Sequence, residues 1–453
     1  MAPHWVKGFG RAPTPPGLTL VYNPPLPVPS DNMQHMLQRF AKLTQRRHYG
    51  WVIFTLTGAN LTVEGGMRNS VPVVFVALRN SFGHSAAATA AIFSAAGIAG
   101  GLAAPLVGWL LDRVGPRMLF PLAGLLILLG YWSSSFVSAF WQLFIFYSLI
   151  AALGESTVSS FTATATLAPW FPKNRGRVLG LADVGNPLGQ AIFAPLAQIL
   201  ISAVGWRPTF RVFGVVFFLM VAPANLLWQR RPPPVESAHT AQRAVLAGTA
   251  PGDAVMTGIL GRPTVWLLVL TRMFATFGIH LTNVHMVAFF IAAGYSGLLA
   301  ASTIGAVGLV SLVGRPMSGA LSDHVGRELV YTVGLGTHIG AIVLVLLLGD
   351  GSRLWPIIIF IALSGLSEGI AGLVVGAKAT DIFPSSALGR VMGLIQMGRG
   401  VGILAGPVLG GLLFDLQDDY TGAFTLAVGA VAAAVAIMWL ARFSVGKTQA
   451  PTA

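Results

Sequence analysis

The sequence predicts an all-α membrane protein with twelve transmembrane helices in two pseudo-symmetric six-helix bundles. Three observations predict it. The chain is apolar, with 54% hydrophobic and 9% charged residues and a mean hydropathy of +0.73, against roughly 25% charged residues in soluble domains. Apolar stretches of about 20 residues recur, the length a helix needs to cross a hydrocarbon core of about 30 Å. The chain also repeats itself at half its length. Pro105-x-x-Gly108-x-Leu110-x-Asp112-x-Val114-Gly115 returns 211 residues on as Pro316-x-x-Gly319-x-Leu321-x-Asp323-x-Val325-Gly326. Gly176-Arg177-Val178-x-Gly180-Leu181, followed by Gly185 and Gly189, returns 213 residues on as Gly389-Arg390-Val391-x-Gly393-Leu394, Gly398 and Gly402. Such a repeat in so apolar a chain predicts two like bundles around a shared central site.

The spans are expected at roughly 50–77, 86–111, 118–137, 141–168, 177–203, 209–229, 264–292, 298–321, 329–348, 355–378, 389–414 and 421–442. The longest polar segment, 230–262, holds Pro232-Pro233-Pro234 and reads as a flexible cytoplasmic linker. It divides an N-terminal bundle over 37–229 from a C-terminal bundle over 263–443, with a tail over 444–453. Residues 1–36 are proline-rich, without helical period and without the charged start and apolar centre of a signal peptide. They read as a disordered tail, or as the product of an early start codon, since Met33 and Met36 stand just before the basic juxtamembrane segment.

A formal charge of +13 suggests nucleic acid, but its distribution argues against such a partner. Arg39, Lys42, Arg46 and Arg47 precede the first span; Arg113 and Arg117 follow the second; Lys173, Arg175 and Arg177 lie between the fourth and fifth; Arg230, Arg231 and Arg243 lie in the linker. Arg327, Lys378, Arg390, Arg442 and Lys447 continue the alternation, while the opposite loops are poor in Lys and Arg apart from Arg79, Arg207 and Arg211. This is the positive-inside pattern, and it puts both termini in the cytoplasm, with attraction to anionic lipid as a secondary effect. There is no cysteine, which excludes disulfides and thiolate metal sites. No nucleotide-binding loop, metal-ligand cluster or nucleophile motif is present, so no cofactor, metal or enzymatic activity is expected.

Gly108-x-x-x-Asp112-Arg113-x-Gly115-x-Arg117 forms the loop after the second span. Its glycines let helices approach closely, and its acid can latch the two halves through ion pairs that break on opening. The second copy keeps Asp323 but has His324 in place of the first arginine, so a weaker latch is expected there. This gating motif resembles the signature of the major facilitator superfamily, which implies that fold and alternating access. Phe171-x-Lys173-x-Arg175 with Gly180-x-Ala182-x-x-Gly185-x-x-x-Gly189 is similar to the fifth-span signature of the monocarboxylate-porter branch. Gly314-Arg315-Pro316-x-x-Gly319 is similar to the segment carrying that branch's substrate-binding arginine, a role the resemblance implies for Arg315. The acid that eukaryotic members carry one turn earlier is Ser311 here, so proton coupling at that position does not carry over. Met397-Gly398-Arg399-Gly400-x-Gly402 resembles the segment where the related oxalate:formate antiporters place a second cation.

A charge at the centre of a transmembrane helix costs about 2.5–3.5 kcal/mol. Glu64, Arg68, Glu155, Asp183, Arg272, Arg315, Glu368 and Arg399 all occupy such positions. Exposing all eight to lipid would cost more than about 20 kcal/mol, so a polar interior is required. Glu155 and Glu368 stand at the repeat offset of 213 residues, and pseudo-symmetry would place them opposite one another. Arg315 and Arg399 have no acid one turn away and so call for an anion from elsewhere. With Arg68 and Arg272 they are the candidate substrate-binding residues. Glu155, Glu368 and Asp183 are candidate proton carriers, because a carboxyl taken out of water holds its proton more readily; His280 and His285 are further candidates. Plainer readings stand beside these. Glu64 and Arg68 are spaced to neutralise each other, Arg272 is placed to snorkel to the surface, and the histidines suit packing. Lys378 and Asp381 read as interfacial residues at a helix end.

The resemblance implies a monomeric multi-pass inner-membrane carrier of a small organic anion, a mono- or dicarboxylate, coupled to H+ or to a counter-anion. Two other readings stay open. Four acids and four arginines at mid-depth also suit an exporter of a zwitterionic or cationic compound. A non-transporting sensor on the same scaffold would need a signalling domain, which neither the 33-residue linker nor the C-terminal tail supplies.

Overall fold

Helix starts in this chain are set by capping serines and early prolines, and they follow the repeat. Ser85 accepts from Ala88 N–H at 3.2 Å and opens Ala86–Val114; Ser296, 211 residues on, accepts from Leu299 N–H at 3.2 Å and opens Gly297–Val325. Each serine satisfies one of the N–H groups that a helix start leaves without a partner. Proline stands in the first turn of Pro116–Ser134, Pro263–Ala292 and Trp355–Ser367, where its missing N–H costs nothing.

A computed structural model of the chain describes residues 46–171, 175–230, 261–347, 353–383 and 385–448. The expected tail over 1–36, residues 231–260 of the expected linker, Lys173 and residues 449–453 lie outside the described residues. Residues Tyr49–Ala453 form one compact unit. Every regular element among its described residues is helical. Among the described residues, eleven segments are long and apolar enough to cross a membrane: Ala86–Val114, Pro116–Ser134, Gln142–Trp170, Arg177–Val204, Trp206–Trp228, Pro263–Ala292, Gly297–Val325, Arg327–Leu346, Trp355–Ile382, Val391–Gln417 and Thr421–Arg442. Helices Arg46–Asn69 and Val71–Phe82 precede them and complete twelve. The first span is therefore not the single helix over 50–77 that its hydropathy suggests. It breaks at Ser70, because Pro72 starts a new helix rather than continuing the old one.

The fourth and tenth spans are interrupted too. The fourth contains a π turn at Phe146–Ala151 and a break at Val158 and Ser159, between Ala152–Thr157 and Ser160–Leu167. The tenth breaks at Glu368 and Gly369, between Trp355–Ser367 and Ile370–Ile382. Both breaks fall close to a repeat-related carboxyl, Glu155 or Glu368. Unwound turns inside spans free backbone and side-chain groups to face a site rather than lipid.

The repeated glycines do the same packing in each half. A Cβ at Gly189 in the fifth span would stand 1.8 Å from the Thr62 carbonyl of the first; a Cβ at Gly402 in the eleventh would stand 2.6 Å from the Met273 carbonyl of the seventh. Only glycine allows these backbones to touch. The two halves meet along the second and eleventh spans, where Ser94 Oγ donates to Ile403 O at 3.2 Å. They also meet along the fifth and eighth, where Gln190 Nε2 donates to Ile304 O at 2.9 Å. These contacts lie toward the end of the bundle that holds the turns near residues 83–85, 205, 293–296 and 418–420.

Candidate functional site

Seven of the eight charged mid-span residues assemble into two groups. The first is a continuous chain of contacts that crosses from one half to the other. Glu64 Oε1 pairs with Arg68 at 2.9 Å, as their one-turn spacing predicts. Arg68 also donates to Asn186 Oδ1 in the fifth span at 2.7 Å. Ser160 Oγ, just after the break in the fourth span, donates to Asp183 Oδ1 at 2.8 Å, and Asn186 Nδ2 reaches Ser160 and Asp183 at 3.3 and 3.4 Å. Asp183 Oδ2 then meets Arg315 Nη1 of the eighth span at 3.0 Å, and Arg315 Nη2 meets Glu368 Oε1 of the tenth at 2.8 Å.

Arg315, which has no acid one turn away, thus takes its anions from other helices. Its anions lie 132 and 53 residues away, on helices that its own turn spacing does not reveal. Gly369 makes the Glu368 contact possible. It sits at φ +87°, and a Cβ there would press on the Arg315 stem at 3.1–3.4 Å. The side chains of Arg68, Asp183, Arg315 and Glu368 keep between 22% and 44% of their surface accessible. For charges at mid-span, such access belongs to an opening between the halves and not to lipid.

The second group is cationic. Arg399 and Arg272 make no hydrogen bond or ion pair among the described residues. Gly398 and Gly402 of the eleventh span face Val269 and Met273 of the seventh, so the two arginines stand at one depth on adjacent helices, within electrostatic range of one another and of Arg68. The Arg272 guanidinium lies along the tenth span, 3.1–3.3 Å from where a Cβ at Gly372 would be, and does not turn back toward its own helix end. His280 lies near the same three arginines, and its Nδ1 is buried without a hydrogen-bond partner. The N-terminal half thus brings three acids and one arginine to mid-depth, and the C-terminal half three arginines and one acid.

Glu155 touches neither group directly; it accepts from Tyr131 Oη at 3.0 Å beside the π turn, within electrostatic range of Glu64 and Arg68. His285 is elsewhere again. Its Nε2 donates to Pro407 O at 2.9 Å and its ring packs on Phe75 and Tyr420 at 4.8 and 5.5 Å. In the gating motif, Asp112 and Arg113 are exposed, Arg113 lies over the Trp109 ring at 4.9 Å, and Arg117 Nε donates to Leu226 O at 2.8 Å. A Cβ at Gly108 would meet nothing within 4 Å, and Gly115 turns the chain at φ +84°. In the second copy, Arg327 bridges Asp323 to Asp381, the latter at 3.0 Å. Lys378, near the end of its helix, pairs with Glu328 in the first turn of the ninth span, both side chains largely buried.

The sequence profile of the Major Facilitator Superfamily matches residues 56–358 and 338–452. The chain belongs to this superfamily. Among relatives, it is 27% identical to monocarboxylate transporter 13 of Bos taurus over 380 residues, 84% of this chain and 86% of that one. It is 26% identical to monocarboxylate transporter 11 of Homo sapiens over 391 residues, 83% of this chain and 80% of that one. A bacterial homolog of the human lysosomal transporter Spinster, solved inward-facing and unoccupied, shares the fold with a TM-score of 0.71 at 16% identity, covering 89% of this chain and 99% of that one. The chain is therefore a multi-pass membrane transporter of the major facilitator superfamily that resembles its monocarboxylate-porter branch. Asn186, Ser160 and Tyr131 complete its polar interior, although sequence reading passed over them. Asn186 alone left a signal, as an amide inside an apolar span.

Proposed function

We propose that this superfamily member is a secondary active transporter moving a small organic anion, a mono- or dicarboxylate, across the inner membrane by alternating access. The observation that carries the anion is the pair Arg272 and Arg399. A guanidinium keeps its charge at any physiological pH, and a mid-span charge with no ion-pair partner is costly to hold. Two of them side by side suit a ligand that brings the negative charge with it. Arg315 and Arg68 supply further contacts, and similarity to monocarboxylate transporters supports a carboxylate.

The positive-inside pattern places both termini in the cytoplasm, so the end at which Ser94 and Gln190 join the halves faces outward. The loop carrying Gly108, Asp112, Arg113, Gly115, Arg117 and, in the second half, Asp323 closes the cytoplasmic end in the alternate state. Coupling is to H+, carried by Glu155, Glu368 or Asp183 with His280 and His285 as lesser candidates, or to a counter-anion. The protein acts as a monomer in lipid.

Uptake of labelled L-lactate, malonate and a labelled amine into proteoliposomes tests this reading. Accumulation of either carboxylate under an imposed pH gradient, or its exchange for internal carboxylate, is the expected result. Uptake of the amine alone would replace it with a carrier of cationic or zwitterionic compounds.

A further inference from the structure

The two anions on Arg315 are not equivalent. Glu368 belongs to the same half as Arg315, and the left-handed turn at Gly369 packs against the arginine's stem, so this pair is built as one piece. Asp183 arrives from the other half and is the more accessible of the two, at 37% against 22%. Its second oxygen is held at home by Ser160 and Asn186, so it has somewhere to stay when it leaves the arginine. Each acid takes a single terminal nitrogen, which leaves the fork unused, and Arg315 Nε is buried with no acceptor. The contact chain from Glu64 to Glu368 contains three carboxylates and two guanidiniums, one anion more than its cations need.

Place matters as well. The fifth and eighth spans pack closely from Gln198 beside Gly297 to Pro187 beside Gly308, and Asp183 with Arg315 lies at the inner end of that row.

We propose that Asp183 is a built-in ligand of Arg315. Its carboxylate holds the guanidinium in the empty carrier, in the place a carboxylate cargo takes, so that cargo binding and parting of the halves at mid-depth are one event. This rests on reading the chain as a carboxylate carrier, and it makes Asp183 a positioning residue that sets affinity.

The test is complementation by a guest anion, read as thermal unfolding of the purified full-length protein. Asp183→Ala and Asp183→Ser vacate the site, and formate should fill it. Saturable stabilisation by formate is expected in both variants, with an apparent affinity about tenfold or more above wild type, and none with chloride. The gain should vanish when Arg315→Gln is added. Asp183→Asn, which keeps the shape with a neutral and more easily displaced group, should shift in the same direction by less. Equal formate response in wild type, no response in the variants, or a response that survives Arg315→Gln overturns the proposal. So does collapse of all three variants even in formate, since a ligand that cargo displaces is not required for folding. Failure of wild type to carry lactate or malonate is a separate result, against the carrier reading alone.

Discussion

Asp415 Oδ1, near the end of the eleventh span, accepts the backbone N–H of Ala86 at 2.7 Å, at the start of the second span in the other half. Its Oδ2 accepts from Ala87 N–H at 2.9 Å. A carboxylate of one half thus caps a helix of the other, where the aligned peptide dipoles favour negative charge. Beside it, the Arg79 guanidinium lies over the Phe414 ring at 4.5 Å.

Removing that cap should open this end of the bundle. The chain has no cysteine, so Ser94→Cys, at a contact between the halves with 1% exposure, reports opening without background. In Asp415→Ala its labelling by an impermeant thiol reagent should quicken about 5- to 30-fold, the equivalent of roughly 1–2 kcal/mol. An unchanged rate would mean that the cap does not hold the gate.

Arg315→Lys should cut carboxylate uptake by about tenfold or more with the charge retained, because one ammonium cannot reach two carboxylates on different helices as the guanidinium does. Uptake kinetics beside thermal unfolding would check this. Wild-type uptake would reduce Arg315 to a structural ion-pair partner.

The arginines should separate on stability. Arg399→Met and Arg272→Met remove mid-span cations without hydrogen-bond or ion-pair partners among the described residues and should raise the stability of the cargo-free protein while abolishing anion uptake. Arg315→Met instead strands Asp183 and Glu368 and should lower stability by roughly 1–3 kcal/mol, between the values for exposed and buried pairs. Melting curves of the three variants decide it, and a uniform loss across them would show that Arg272 and Arg399 are already compensated.

Gly369→Ala should damage the site from the backbone outward. At φ +87° an L side chain costs roughly 1–3 kcal/mol, and the new methyl would push Arg315 off Glu368. Gly336→Ala, which meets nothing within 4 Å, is the matched control. Equal uptake in the two variants would remove Gly369 from the account.

The architecture was legible because it is written in local pattern. Apolar length gave the spans, and the paired Pro-x-x-Gly segments gave the two halves. Even the caps Ser85 and Ser296 keep the repeat offset. The site was legible only as a set of charged residues, because a one-turn search finds Glu64 beside Arg68 but not Asp183 and Glu368 beside Arg315. Those partners depend on how helices from both halves come together. Lys378 and Glu328, 50 residues apart, were missed for the same reason. Nothing in the segment around Asp415 points to the start of the second span, 328 and 329 residues away.

The opposite charge of the two faces bears on the return step of the cycle. A site lined only with cations resists closing while empty, because occluding it would bury unbalanced charge, and such a carrier is held to one-for-one exchange. Here the four acids and four arginines at mid-depth balance in sum, and an acid of one half already neutralises an arginine of the other. On the proposed carboxylate-carrier reading, such a balance would let the unloaded protein reset without cargo and would favour net flux over obligatory exchange.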